Sequence, residues 1–169
     1  EPLVKADDFH FSQPCATMTH SAMGTVMSHK AFGVGAEARL EAVRGEITRL
    51  EKLLSRFLPD SDISRINASA GIQSIKVSPE TFDVLSKAVE FSRACSGCLD
   101  VTIDPLVDLW NMARESGIPP DESSIQRVLP LVNDQDVILN AWEMTAGLRN
   151  IGQAIDLGGI GKGYAGDKI

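Results

Sequence analysis

Between residues 36 and 57 apolar side chains recur at Ala36, Leu40, Val43, Ile47, Leu50, Leu54 and Phe57, in alternating steps of four and three. That spacing puts all seven on one stripe of a helix about six turns long. Arg39, Glu41, Arg44, Glu46, Arg49, Glu51 and Lys52 lie off the stripe. A coiled coil would carry the heptad further; Pro59-Asp60 ends it here, so the stripe is expected to cover a sheet. Residues 25–32 alternate loosely ahead of Gly33 and Gly35, the pattern of a strand and turn. Ser78-Pro79-Glu80 opens a second helix with a hydroxyl cap, a proline at the first helical position and an acid at the positive end of the dipole. Phe82, Leu85 and Val89 form its expected buried face, and Gly97 closes it. Asp104-Pro105 repeats this grammar, with Asp104 as the cap of a helix running through Leu106, Leu109, Trp110 and Ala113 to Gly117. A short helix follows over residues 122–129. Residues 137–139, 143–145 and 150–157 read as strands, with Ala146-Gly147 as a turn between the last two. Strands do not strictly alternate with helices, so an α+β fold with a mixed or antiparallel sheet covered by helices is expected over a doubly wound sheet.

The length of 169 residues suits one domain. Composition narrows the partners. With 16 Lys+Arg against 23 Asp+Glu, the net charge of −7 leaves no basic footprint for nucleic acid or anionic lipid. No run of about 18 apolar residues offers a membrane span. Glu1 opens the chain where a start methionine would stand, so an export signal, if one existed, is expected to have been removed. Residues 1–21 mix Pro, Gln, Ser and His without periodicity and read as an arm or linker, leaving 22–169 as the folded portion. The three cysteines, Cys15, Cys95 and Cys98, form no disulfide framework. Cys95 and Cys98 have the spacing of a thiol redox pair, but they follow a helix where a thioredoxin-like pair would precede one, and they read as incidental. His10, His20 and His29 lack the four-residue spacing of a helical metal pair and read as surface or strand positions.

The chemistry gathers near the end. After residues 155–157 comes Gly158-Gly159-Ile160-Gly161-Lys162-Gly163-Tyr164-Ala165-Gly166, a glycine-rich turn leading into a helix, which suits an anion or phosphate. It is neither standard phosphate loop. A Walker A loop needs Gly at 156 and Ser or Thr at 163, where Asp156 and Gly163 stand, and a dinucleotide fold needs an acid about twenty residues further on. What remains is a glycine turn with one acid, Asp156, and one cation, Lys162; a tight turn with a solvated lysine is the plainer alternative. Asp100 follows a helix-ending glycine and fits either a ligand-binding loop or an ordinary Asx-turn.

Four blocks in order carry a resemblance. They are Ala22-Met23-Gly24-Thr25; the run Ser55-Arg56-Phe57 through Ile66-Asn67; the run Ser96-Gly97-Cys98-Leu99-Asp100 through Leu106, with Trp110; and the run Asp156-Leu157-Gly158-Gly159 through Ala165. Together they resemble the ApbE family of FAD:protein FMN transferases, also called the thiamine biosynthesis lipoprotein family. The resemblance implies an α+β architecture related to the T-fold, cut after the glycine-rich turn. It implies FAD and Mg²⁺ as ligands and transfer of FMN from FAD to a Thr or Ser hydroxyl of an acceptor flavoprotein, with release of AMP; some members hydrolyse FAD instead. Carried over, Met23 would contact the flavin nucleotide, and Phe57 would stack where members often have Tyr. Cys98, Leu99 and Asp100 would line the adenosine side, Asp156 and Lys162 would hold FAD, and the Gly159 carbonyl would meet the metal. Members continue well beyond this turn, so the resemblance implies a missing C-terminal half that carries further metal ligands. It also implies an extracytoplasmic, lipid-anchored location on the periplasmic face of the inner membrane. A non-catalytic nucleotide-binding module, or a homo-oligomer through an unpaired sheet edge, is the competing expectation.

Overall fold

The computed structural model describes residues 14–95 and 97–169. They divide into two compact units, one up to Thr48 and one from Arg49 to Ile169. In the first, β1 (Cys15–Ala22) pairs antiparallel with β2 (Thr25–Phe32) over eight residue pairs from Cys15↔Phe32 to Ala22↔Thr25. Met23 (φ 50°) and Gly24 (φ 70°) make the two-residue connection; both are left-handed, as a turn matching the strand twist requires. The expected arm therefore ends by Cys15. Alternation there was hidden by small and polar residues, because burial is only partial on one face of a two-stranded ribbon. The first part of that arm lies outside the described residues. His20 and His29 fall on this ribbon with their rings stacked 5.2 Å apart.

The helix α1 (Ala36–Leu54) buries Ala36, Leu40, Ile47, Leu50 and Leu54 of the expected stripe. Phe57 leaves it: the helix ends at Leu54, and Phe57 is 77% exposed. A short helix the periodicity did not reveal follows, α2 (Asp62–Ala68), capped by Ser61, whose side chain accepts a hydrogen bond from the Ser64 amide at 3.0 Å. Its Ile63 and Ile66 are fully buried.

The second unit holds an antiparallel sheet in the order β3 (Ile75–Lys76), β5 (Thr145–Leu148), β4 (Val137–Asn140). The helices α3 (Pro79–Ala94), α4 (Asp104–Ser116) and α5 (Glu122–Val128) match the expected segments. Val84, Leu85 and Ala88 of α3 are fully buried, whereas Phe82 is only half-buried. Gly117 closes α4 in the left-handed conformation. A last helix, α6 (Gly161–Gly166), follows the glycine-rich turn.

Two strand expectations are corrected. Ala146 and Gly147 lie inside β5, and the turn falls earlier, where Asn140 Oδ1 accepts hydrogen bonds from the amides of Trp142 (3.0 Å) and Glu143 (3.3 Å). Gly147 is a close-approach glycine: a Cβ there would stand 2.6 Å from Ser74 Oγ. Residues 150–157 do not form a strand. The Asn150 amide donates to Gln153 Oε1 at 2.9 Å and Gly152 has φ 87°, so local side-chain bonds displace the ladder. Only a single parallel bridge, Ile103↔Ala154, survives. That bridge sets the geometry of the site.

Candidate functional site

Residues 154–157 are fastened on two sides. Asn67, at the end of α2, clamps Ile155 in both directions: its Nδ2 donates to the Ile155 carbonyl at 3.0 Å and its Oδ1 accepts the Ile155 amide at 2.7 Å. One residue on, the Asp156 amide donates to the Val101 carbonyl at 2.8 Å. The segment carrying Leu99 and Asp100 thus lies beside the segment carrying Asp156 and the glycine turn. Contact continues further along, since a Cβ on Gly159 would stand 3.1 Å from Leu99 Cδ1. Glycine at 159 is what lets the two loops close on each other.

Asp156 stands at the root of the turn. Its Oδ1 accepts the Gly158 amide at 2.6 Å, while Oδ2 lies 3.2 Å from Arg56 Nε. Arg56 Nη1 also lies 2.5 Å from Asp104 Oδ1 and 2.9 Å from Asp108 Oδ1. One guanidinium therefore serves three carboxylates. Burial pushes the Asp104 carboxyl up to about 6; Arg56 opposes that rise, and the nearby charges of Asp108 and Asp156 add to it. Asp104 is not the helix cap expected from its place before Pro105: Ile103 occupies that position, and the Asp104 side chain, 3% exposed, turns to Arg56. The Arg56 guanidinium lies over the Phe57 ring at 4.4 Å, and the rest of the Phe57 side chain is largely exposed.

The Asp100 carboxylate is spent within the fold. Its Oδ1 accepts the Thr102 amide at 2.8 Å and hydroxyl at 2.6 Å, the Asx-turn arrangement, and its Oδ2 accepts the Asp134 amide at 3.1 Å. What this loop offers a ligand is its backbone and the neighbouring Cys98 and Leu99. Lys162 sits in the first turn of α6, exposed, with its Nζ donating to the Gly158 carbonyl at 3.3 Å. Below it Tyr164 is buried, and its hydroxyl donates to Asp83 Oδ2 at 3.0 Å, fixing α6 onto α3.

The expected site residues Phe57, Leu99, Asp100, Asp156, Gly159 and Lys162 all belong to these adjoining segments, and Cys98 precedes them in the same loop. Met23 lies in the first unit, at the left-handed hairpin turn. Arg56, Asn67 and Asp108 were missed as site-shaping groups. The first two stand in the block Ser55–Asn67, where an arginine just past a helix end and an asparagine in a short helix look like ordinary solvated residues.

The donors fit Mg²⁺ only in part. Among the described residues no group of three or more His, Cys, Asp or Glu side chains is placed to hold a metal. The Gly159 carbonyl is a hard oxygen of the kind magnesium takes, but Asp156 is already engaged by Arg56 and the Gly158 amide. These residues do not assemble a metal shell by themselves.

With this geometry in view, three comparisons are informative. The ApbE family model matches residues 23–169. An FAD:protein FMN transferase of Klebsiella pneumoniae is 32% identical over 133 residues, covering 79% of this chain and 42% of the relative. One from Treponema pallidum is 29% identical over 156 residues, covering 87% and 43%. Among solved structures, the ApbE protein of Thermotoga maritima superimposes with a TM-score of 0.83 at 24% identity, over 92% of this chain and 51% of that one. The flavin transferase ApbE of Vibrio cholerae gives 0.83 at 21%, over 92% and 52%. The chain spans about half the length of the relatives it matches, and its mixture of helices and antiparallel sheet is theirs. Fold, ordered motifs and family match agree: the chain belongs to the ApbE family.

Proposed function

We propose that this chain provides the FAD-holding part of an Mg²⁺-dependent FAD:protein FMN transferase, which moves FMN from FAD to a Thr or Ser hydroxyl of an acceptor flavoprotein and releases AMP. The observation that carries this reading is the closure of the Leu99 loop on the Gly158–Gly161 turn, with Asp156 at their junction. Two loops meeting around a glycine turn, with a cation one residue inside the following helix, suit the phosphates of a dinucleotide. Cys98, Leu99 and the Asp100 backbone take the adenosine side. Lys162 swings from the Gly158 carbonyl to the pyrophosphate, where its ammonium offsets charge that grows on the leaving phosphate oxygens. Asp156, fixed by Arg56, orients the nucleotide. Phe57 offers its exposed side for stacking.

Magnesium, when bound, supplies further charge neutralisation at the pyrophosphate. The Gly159 carbonyl would be one ligand, and further ligands would have to come from outside this half. The reading includes action on the periplasmic face of the inner membrane. Among the described residues no helix is long and apolar enough to cross a membrane.

The test is an FMN-transfer assay with FAD, Mg²⁺ and an acceptor domain bearing a flavinylated-type Thr or Ser, read by the acceptor's mass and by AMP release. The expected result is transfer when the second half found in relatives is supplied, and none with this chain alone. Transfer by the chain alone overturns the shared site; no transfer in either case overturns the activity.

A further inference from the structure

One pair of nucleophiles is not used by the proposed transfer. Cys95 ends α3, and Cys98 stands three residues on, immediately before Leu99. Both are free thiols, Cys95 half-buried and Cys98 exposed. The Cys98 amide donates to the Cys95 carbonyl at 3.3 Å, which closes a four-residue turn across the pair. Such a turn holds its end Cα atoms within about 7 Å, close to the window a disulfide spans. The Cys95 thiol itself donates to the Ser92 carbonyl at 3.6 Å. The neighbouring Cys98 thiol holds the Cys95 thiol below its ordinary range, opposed by burial and helped by the backbone amides of Leu99, Cys98 and Gly97, while Cys98 itself is pushed up. A thiolate-prone attacker beside an exposed resolving thiol is the arrangement that disulfide exchange needs.

We propose that Cys95 and Cys98 form a reversible dithiol–disulfide couple, exchanging with small disulfides of the glutathione type, whose closure restrains the loop carrying Leu99 and Asp100. The Cys95 thiolate attacks one sulfur of oxidised glutathione, expels one glutathione thiolate and leaves a mixed disulfide on Cys95. Cys98 loses its proton to solvent and attacks the Cys95 sulfur, expelling the second glutathione. Two electrons pass from the protein dithiol to the glutathione disulfide, and no other oxidant is required. The link joins the end of α3 to the residue before Leu99, whose side chain packs toward Gly159. A closed ring therefore removes freedom from the segment that meets the glycine turn.

The experiment equilibrates the chain in reduced and oxidised glutathione buffers, quenches it with acid and maps thiols by peptide mass. Exchange of the backbone amides over residues 97–102 is followed in the same samples. The expected result is a peptide holding Cys95 and Cys98 that has lost two hydrogens, with Cys15 outside the link. Slower hydrogen exchange across residues 97–102 accompanies it. Cys98→Ser is expected to stop at a glutathione adduct on Cys95. Adducts on both cysteines without ring closure overturn the couple. Ring closure that leaves exchange over residues 97–102 unchanged overturns the restraint. Neither readout uses FAD, so this proposal and the nucleotide reading fail separately.

Discussion

Arg56 lies within 2.5–3.2 Å of Asp104, Asp108 and Asp156, and its removal would strand two carboxylates that are largely buried. Arg56→Ala is expected to cost about 3–5 kcal/mol in urea-unfolding stability, the range for breaking a buried pair from one side. Arg56→Lys should recover only part of that, because a point charge cannot serve three acids as a guanidinium fork does. Asp104 adds a signature in pH. Its carboxyl sits near 6 in the fold against 3.8 as the ordinary value, so between those values the folded state holds the extra proton. Stability from this group is therefore greatest below about pH 4 and declines as pH rises to 6, by ~2–3 kcal/mol in all. Chemical-denaturation curves from pH 4 to 7 should show that decline in the parent relative to Asp104→Asn; parallel curves would contradict it. Gly71 makes a steric case: it has φ 72°, and a Cβ would meet the Ile151 amide nitrogen at 2.4 Å. Gly71→Ala should destabilise by more than ~2 kcal/mol, since both strain and overlap oppose it. None of these three roles was legible in the sequence. Each depends on a partner dozens of residues away, and neither an arginine after a helix nor a glycine in a loop advertises its neighbour.

Elements were legible where local chemistry and burial pattern agree. Ser78 caps α3 by accepting the Thr81 amide at 3.2 Å, as Ser78-Pro79-Glu80 announces. The same turn is tied to α2, because Asp62 Oδ2 accepts the Ser78 amide and the Thr81 hydroxyl, each at 2.8 Å. Asp62→Ala should therefore cost more than Ser78→Ala, for which about 1 kcal/mol is typical of a lost cap. Thermal melts of the two variants would check the order, and a reversed order would contradict it. Elements were hidden where long-range polar bonds do the organising. The helix α2 spans only Asp62–Ala68, too few turns to show a period, and Pro59-Asp60 reads only as a breaker. Residues 150–157 have a strand-like composition, but Gln153 and Asn150 bond to Asp136 Oδ2 at 3.0 and 2.9 Å and hold the segment in another course. That course delivers Asp156 to Val101 and brings the two loops of the site together.

At the scale of the molecule, the site was read mainly through ordered motifs. The glycine turn alone was consistent with a solvated loop; its value came from following Met23-Gly24, Ser55–Asn67 and Gly97–Leu106 in sequence. The structure adds the reason why three of these blocks matter together: Asn67, Val101 and Leu99 each touch the 155–159 segment. The sequence could not show that contact, nor that the Asp100 carboxylate is consumed by Thr102 and Asp134. The central claim is that these joined loops hold FAD. Titrating the chain with FAD, with and without Mg²⁺, and following flavin fluorescence tests it most directly. The expected result is saturable binding that Lys162→Ala weakens by about tenfold, the effect of losing one ammonium–phosphate contact worth ~1.4 kcal/mol. Absence of saturable binding in a folded sample, or equal affinity in the Lys162→Ala variant, would contradict it.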